Sequence, residues 1–346
     1  MRVGNRLVGE EQPALLVAEV GINHNGDIDL AHRMVEAAAD AGADAVKFQN
    51  YHAEDFITDR SLTYKYISQG HEVIENQYDM FKRCELSLTA LRELRQECTQ
   101  RNLIFFSTPT SERGVKELVD LGVPLLKNGS DFLQNLSLIQ AMAKTGLPCM
   151  ISTGMGTLVE IEEAVRAFRE AGGEELILLV CTSMYPTPPE ETHLRRIPTL
   201  AARTGIPVGF SDHTLGIVAA IGAVALGACA IEKHFTISKD LPGPDHHFSA
   251  DPTEFKSLVQ NVRALEKSLG SSTLGPTLLE KPIRNDFRLS CAASRDLAAG
   301  QQVTDADILF SRPGTGFPPK AKERLVGKRL VHKVIAGHIF KPEDFS

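Results

Sequence analysis

RTGIPVGFSDHTLGIVAAIGAVALGACAIEKH, residues 203–234, reads as strand, helix, strand. Pro207–Phe210 and Ala228–Lys233 are short apolar runs, and Leu215–Leu226 between them is apolar on nearly every side. Gly205 and Gly227 stand just ahead of the two runs, at the position past a helix end where the left-handed backbone favours glycine. Strands without polar alternation are buried on both faces, which is the condition of a parallel sheet covered by helices. The apolar stretch Gly216–Ile231 is short for a membrane span and rich in Gly and Ala, so it is read as a buried helix running into a buried strand. Each strand closes on a polar triplet, Ser211-Asp212-His213 and Glu232-Lys233-His234.

The same unit repeats toward the N-terminus. Further strand candidates are Ala14–Val20, Ala45–Gln49, Leu103–Ser107, Pro124–Lys127, Cys149–Ser152 and Leu176–Thr182. Helix-like stretches separate them: Leu30–Ala41, Leu88–Arg101, Ser111–Leu121, Leu136–Thr145, Leu158–Ala171 and Leu194–Arg203, with Pro252–Leu269 at the end. Eight strand–helix units in about 250 residues is the size of a closed (β/α)8 TIM barrel, and a doubly wound open sheet is the alternative. His52–Leu86 breaks the rhythm with a polar insertion carrying Tyr64, Tyr66, Tyr78 and Phe81, the kind of long βα segment that forms an active-site rim. The boundaries are expected at a barrel over residues 1–269, a turn-rich linker over 270–286 and a small β-rich domain over 287–346.

With 346 residues, 42% hydrophobic and 23% charged, the chain has an ordinary globular composition. A formal charge of -7 and the lack of a basic stripe argue against a nucleic-acid surface. Six scattered cysteines without a C-x-x-C pair suit small buried hydrophobes in a reducing compartment, and no signal-peptide pattern opens the chain. Cytoplasm, with no membrane partner, is the simple expectation.

Barrel chemistry sits where strands end. The ends here carry Glu19; Lys47 and Gln49; Ser107 and Thr108; Lys127 and Ser130; Ser152; Thr182, Ser183 and Tyr185; then the two triplets. His213 and His234 close neighbouring strands, about 4.8 Å apart, so both imidazoles can reach one divalent ion; the alternative is that each merely bonds a neighbour. Glu232 and Asp245 are expected to anchor metal-bound water, while His246 and His247, on a loop, are weaker ligands. Lys47 and Lys127 beside Thr108, Ser130 and Ser152 form an anion cradle, unless they serve a structural ion pair. No nucleotide-binding glycine loop is present.

The ordered set AEVGINHNGD (18–27), VKFQ (46–49), FFSTP (105–109), LKNGS (126–130), STGM (152–155), CTSMYPTP (181–188), GFSDHT (209–214), EKHFT (232–236) and GPDHHFS (243–249) resembles the N-acetylneuraminate synthase family. That family also takes in legionaminate and pseudaminate synthases and the spore-coat polysaccharide protein. The tail RDLAAGQQVTDADILFSRPGTG (295–316) resembles the SAF, or antifreeze-like, domain that follows the barrel there. The resemblance implies a phosphoenolpyruvate-dependent synthase acting on an acetamido-sugar aldehyde. Lys47, Thr108, Lys127, Ser130, Ser152, Ser183 and Ser211 would hold phosphoenolpyruvate, and His213 and His234 a Mn2+ or Mg2+ ion. Glu19 would position or deprotonate a reacting group, and Gln49, Tyr185 and Asp245 would touch the sugar. It further implies a homodimer in which Arg312 of the SAF domain reaches the partner's substrate.

One departure stands out. After the fourth strand the family usually has a glutamate that contacts the sugar, and here Phe132 occupies that position with Asp131 before it. Either Asp131 takes over the contact, or the acceptor carries an apolar substituent such as a 6-deoxy carbon. Two other readings share some of these features: a different metal-dependent barrel enzyme, and a barrel that binds carbohydrate without turnover.

Overall fold

The computed structural model describes residues 1–346 and divides the chain into two compact units, Met1–Gly270 and Ser271–Ser346. In the first, eight parallel strands close on themselves: β1 Leu15–Gly21, β2 Ala45–Asn50, β3 Ile104–Pro109, β4 Leu126–Asn128, β5 Cys149–Ser152, β6 Leu176–Val180, β7 Val208–Asp212 and β8 Ala230–His234. β8 pairs with β1, so the sheet is a barrel and not the open alternative. Eight helices follow the strands: α1 Ile28–Asp40, α2 Leu88–Gln100, α3 Glu112–Leu121, α4 Leu136–Ala143, α5 Leu158–Glu170, α6 Arg196–Thr204, α7 Val218–Ala225 and α8 Pro252–Leu269. Side chains of Asp27, Ser87, Ser111, Asn135, Thr157 and Asp251 cap six of them, the last two as reciprocal capping boxes with Glu160 and Glu254. No helix is long and apolar enough to cross a membrane.

Two apolar layers hold this unit. The outer one packs helix residues such as Met34, Leu94, Ile139, Phe168 and Phe255 onto the strands. The inner one fills the barrel with Leu15, Val17, Phe106, Met150, Ile177 and Leu179, and Val3 and Val8 join it from the N-terminal hairpin Arg2–Val3/Arg6–Leu7. The barrel interior is thus packed, and only the carboxyl end of the strands is free to form a site. The polar insertion folds as a helix, Ala53–Phe56, an antiparallel hairpin, Thr63–Ser68 with His71–Asn76, and a helix, Gln77–Arg83. Gln69 and Gly70, both at positive φ, make its two-residue turn. The hairpin is tied to the loop after β8, because Gly243 N–H donates to Ser68 Oγ at 3.1 Å and Gln69 donates to the Asp240 carbonyl at 2.9 Å.

Two expectations need correcting. The sixth strand stops at Val180, not Thr182. The stretch expected as a turn-rich linker contains α9, Glu280–Phe287. Thr277 and Glu280 start it with a capping pair, Thr277 N–H to the Glu280 carboxylate at 2.7 Å and Glu280 N–H to Thr277 Oγ1 at 3.2 Å. Pro282 is tolerated because the first turn leaves its amides unbonded in any case. The rest of the second unit is β-poor in length but sheet-like in texture: β9 Ser290–Ala293 pairs with β10 Ile308–Ser311 over a small core of Cys291, Leu297, Val303, Leu325, Leu330, Val334 and Phe340.

Period-two alternation sorts the two histidine triplets. Asp212 and Lys233 pair in register between β7 and β8 and point out of the barrel, where Lys233 Nζ meets Asp212 Oδ2 at 2.8 Å and donates to the Thr214 carbonyl at 2.8 Å. Both side chains are essentially sealed from water. Asp212→Ala strands a buried ammonium and is expected to cost roughly 3–5 kcal/mol, with Asp212→Ala/Lys233→Met recovering most of it. Thermal unfolding of the three proteins checks this; a single variant as stable as wild type would refute a structural role for the pair.

Candidate active site

The inward positions of the same strands are Ser211 and His213 on one side and Glu232 and His234 on the other. His213 Nδ1 donates to the Thr182 carbonyl at 2.8 Å, which leaves the Nε2 lone pair for the cavity. The His234 ring lies 5.5 Å from the His213 ring, and its Nδ1 has no hydrogen-bond partner, with Asp245 Oδ2 3.6 Å away. Burial pushes both imidazoles below their ordinary pKa, so they stand as neutral donors. Burial also raises the Asp245 carboxyl to about 7, with a further push from Glu19. Two neutral imidazoles, an orphaned ring nitrogen and an adjacent carboxyl fit a divalent cation. His246 does not belong to this group: it is buried between Thr236 Oγ1 at 2.7 Å and Asn25, as a structural link within the loop.

Beside the histidines runs a chain of alternating charge. Lys47 Nζ is 3.0 Å from Glu19 Oε1 and 3.7 Å from Glu232 Oε2, and Lys127 Nζ is 3.5 Å from Glu232 Oε1. Glu232 also accepts from Ser211 Oγ at 2.9 Å. Its carboxylate therefore lies between the two lysines, because an inward side chain two residues before His234 meets the ammonium groups first. Burial opposes charge on every member. For Glu232 the two lysines outweigh burial and hold its carboxyl well below the usual range. For Glu19 burial wins over Lys47 and, helped by Glu232, pushes the carboxyl up to about 7. Burial likewise outweighs Glu232 at Lys127 and lowers its ammonium, whereas burial of Lys47 is overcome by Glu19 and Glu232. Gln49 donates its amide to Glu19 Oε1 at 3.1 Å, so it orients that carboxyl as well as lining the cavity. Glu19 Oε2 has no hydrogen-bond partner.

The hydroxyls converge from the far strands. Lys47 donates to Thr108 Oγ1 at 3.0 Å. Ser130 Oγ accepts the Gly154 amide at 3.1 Å and lies 3.0 Å from Cys181 Sγ, while Ser183 Oγ, close by, has no partner. A Cβ on Gly154 would meet Ser183 Oγ at 2.5 Å and both Cys181 Sγ and Ser130 Oγ at 2.7 Å, so the hydroxyl cluster requires glycine there. Cys181 was read only as a strand hydrophobe; it follows the last β6 residue and points into the mouth.

The charged groups, the histidines, Asp245, Gln49, Thr108, Ser130, Cys181 and Ser211 line one cavity of about 410 Å³ together with Ser152, Asp131, Tyr185 and Phe132, while Ser183 stands behind its wall, beside Gly154. The Tyr185 ring lies 4.3 Å from that of His213. The opposite wall comes mostly from the insertion: Phe56 and Phe81 meet each other and Tyr51, which directly precedes it, edge to face at 5.2–5.8 Å, and Phe132 from the loop after β4 joins Phe56 at 6.3 Å. Tyr64 also reaches the cavity, but Tyr78 does not: Arg60 stacks over its ring. Phe56 and Ile22 carried no signal in the sequence beyond apolar character. Arg312 lies in the second unit, its guanidinium 4.9 Å from the Phe287 ring centroid.

Residues 34–273 match the NeuB family, and residues 290–346 match the SAF domain. An uncharacterized protein of Methanocaldococcus jannaschii is 42% identical over 95% of this chain and 94% of its own length. The N,N'-diacetyllegionaminic acid synthase of Legionella pneumophila is 40% identical, again over 95% of this chain and 94% of its own. The crystal structure of N-acetylneuraminic acid (sialic acid) synthetase from Leptospira borgpetersenii in complex with citrate is 34% identical, with a TM-score of 0.74 over 82% of this chain and 94% of that one.

Glu19 gives a pH test independent of turnover. Its folded pKa of about 7 stands above the ordinary 4.5, so the unfolded state gives up its proton first, and the carboxyl costs stability as pH climbs from 4.5 to about 7. Glu19→Gln lacks that cost. Its melting temperature relative to wild type is expected to rise through this window and stay level above it, an effect of roughly 3 kcal/mol. A difference that does not change with pH would show that Glu19 is ionised throughout.

Proposed function

The chain belongs to the NeuB family, and from that premise we propose that it is a transferase condensing phosphoenolpyruvate with an N-acetylmannosamine-like aldose to give a nonulosonic acid and phosphate. The observation that carries this reading is the sharing of one mouth by two neutral imidazoles and two buried ammonium groups. Phosphoenolpyruvate is anionic at both ends. Lys47 and Lys127, with the hydroxyls of Thr108, Ser130, Ser152, Ser183 and Ser211, are assigned to hold it. His213 and His234, with Asp245 beside them, are assigned to a Mn2+ or Mg2+ ion, which when bound supplies Lewis-acid polarisation of the sugar aldehyde.

C3 of the enol bonds to C1 of the aldose, water adds at C2, and the C2–O bond breaks to release phosphate. The oxygen of that water stays on C2; one of its hydrogens ends on the former aldehyde oxygen and the other leaves with phosphate. Glu19, poised near neutrality with Oε2 free, is assigned to take the proton of the incoming water. Gln49 and Lys47 hold its other oxygen and so fix the orientation of the base. Tyr185, Asp245 and Asp131 are assigned to the sugar's hydroxyl and acetamido groups. The aromatic wall around Phe132 suits an apolar terminus on the acceptor, such as a 6-deoxy carbon.

Within this proposal residues 1–269 are the catalytic barrel. Residues 287–346 extend Arg312 toward the substrate of a second copy in a homodimer. Six buried, unpaired cysteines suit the reducing cytoplasm.

Full-length protein with phosphoenolpyruvate, Mn2+ and a panel of acetamido-hexoses is expected to release phosphate only when an acceptor is present. His213→Ala or His234→Ala is expected to lose bound metal and turnover while keeping the fold. Folded protein that releases no phosphate with any acceptor would overturn the reading. The acceptor wall is tested separately: a 6-deoxy acceptor is expected to exceed its 6-hydroxy counterpart in kcat/KM on the order of tenfold, and Phe132→Glu to reverse that preference.

A further inference from the structure

The second unit holds a cluster of ligating side chains that the condensation chemistry does not use. His332 Nε2 lies 2.9 Å from Asp344 Oδ1, and His338 Nε2 lies 2.9 Å from Asp344 Oδ2. The rings stand nearly perpendicular, 6.4 Å between centroids, and one ligand atom from each residue falls within 4.8 Å of the other two. The carboxylate is only 2% exposed, whereas the imidazoles are 48% and 33% exposed. A fixed anion therefore lies beneath two solvent-reachable nitrogens.

The backbone holds the carboxylate in place. The Lys341 amide donates to Asp344 Oδ2 at 2.7 Å, the Val331 amide donates to the Asp344 carbonyl at 3.0 Å, and Leu330 bridges to Phe345. The last of these ties the segment bearing His332 to the segment bearing Asp344, so two of the three groups are positioned without any ion.

We propose that His332, His338 and Asp344 form a site for a zinc-type divalent transition-metal ion, with water completing the coordination. Two imidazoles and one carboxylate are a donor set that such ions take. With metal–ligand distances of about 2.0–2.1 Å, tetrahedral geometry places ligand atoms roughly 3.3 Å apart. With one carboxylate oxygen bound, the imidazole already on that oxygen moves out slightly to reach that spacing, and rotation of the half-exposed rings brings in the other imidazole, which starts on the second oxygen but within 4.8 Å. Each imidazole gives up the Nε2 proton it shares with the carboxylate or carries it on Nδ1 instead. The ion clips the segment bearing Asp344 to the segment from His332 to His338. It is a site separate from the paired histidines of the barrel.

Zinc bound per full-length chain after equilibrium dialysis against ZnCl2 tests this. Wild type is expected to hold one equivalent more than His332→Gln/His338→Gln, and the single His332→Gln to bind that equivalent at least roughly tenfold more weakly. His213→Ala/His234→Ala is expected to keep it, which separates this site from the barrel. Crystals of wild type grown with zinc are expected to show an anomalous peak between the three side chains. Equal zinc in wild type and the double glutamine variant, or no peak at that position, would overturn the proposal.

Discussion

Four ionisable side chains stand nearly sealed from water at the base of the mouth, and none of them could stay there alone. Glu19, Lys47, Glu232 and Lys127 alternate in sign at separations of 3.0, 3.7 and 3.5 Å. An isolated buried charge costs several kcal/mol, and an alternating row offsets much of it. The barrel register imposes the row: Glu19 sits opposite Lys47 between β1 and β2, and Ser211 opposite Glu232 between β7 and β8. Because each pKa is set by its neighbours, an anion placed against the lysines raises the proton affinity of both glutamates. Binding and proton handling are therefore one coupled equilibrium at this site.

Much of the architecture could be read directly. Continuous apolar runs such as Leu176–Val180 have no other home than a covered parallel sheet, and glycine at Gly122 and Gly205 marks helix ends through a positive φ. The ends of strands were legible as chemistry because the fold gives those positions only one outlet. What single residues did there was less legible. Glu232 was expected beside metal-bound water and Gln49 against the sugar, yet their protein partners, the lysines and Glu19, are set by side-chain direction within the pleat, which sequence spacing does not encode. α9 was missed because its capping pair, Thr277 with Glu280, sits among glycine and proline residues that dominate a reading by composition. The N-terminal hairpin was missed too; strands of two residues fall below any periodicity.

The protein uses histidine in two physical settings. In the barrel, burial and the Thr182 carbonyl fix His213 as a neutral imidazole whose Nε2 faces the mouth, 3.4 Å from Ser211 Oγ. In the second unit His332 and His338 lie partly in solvent and lean on one sealed carboxylate. The first arrangement seals the rings from water, and the second leaves them partly in it.

The insertion hairpin has a wider consequence. Phe56, Ile57, Leu62, Tyr64, Met80 and Phe81 all come from one contiguous stretch, whereas every lysine, glutamate and histidine of the mouth stands on or next to a barrel strand. Most of the apolar wall and the charged groups are thus carried on separate lengths of chain, with Phe132 after β4 and Ile22 after β1 as exceptions. A scaffold built this way can replace most of its apolar wall as a single cassette and leave the electrostatic machinery untouched.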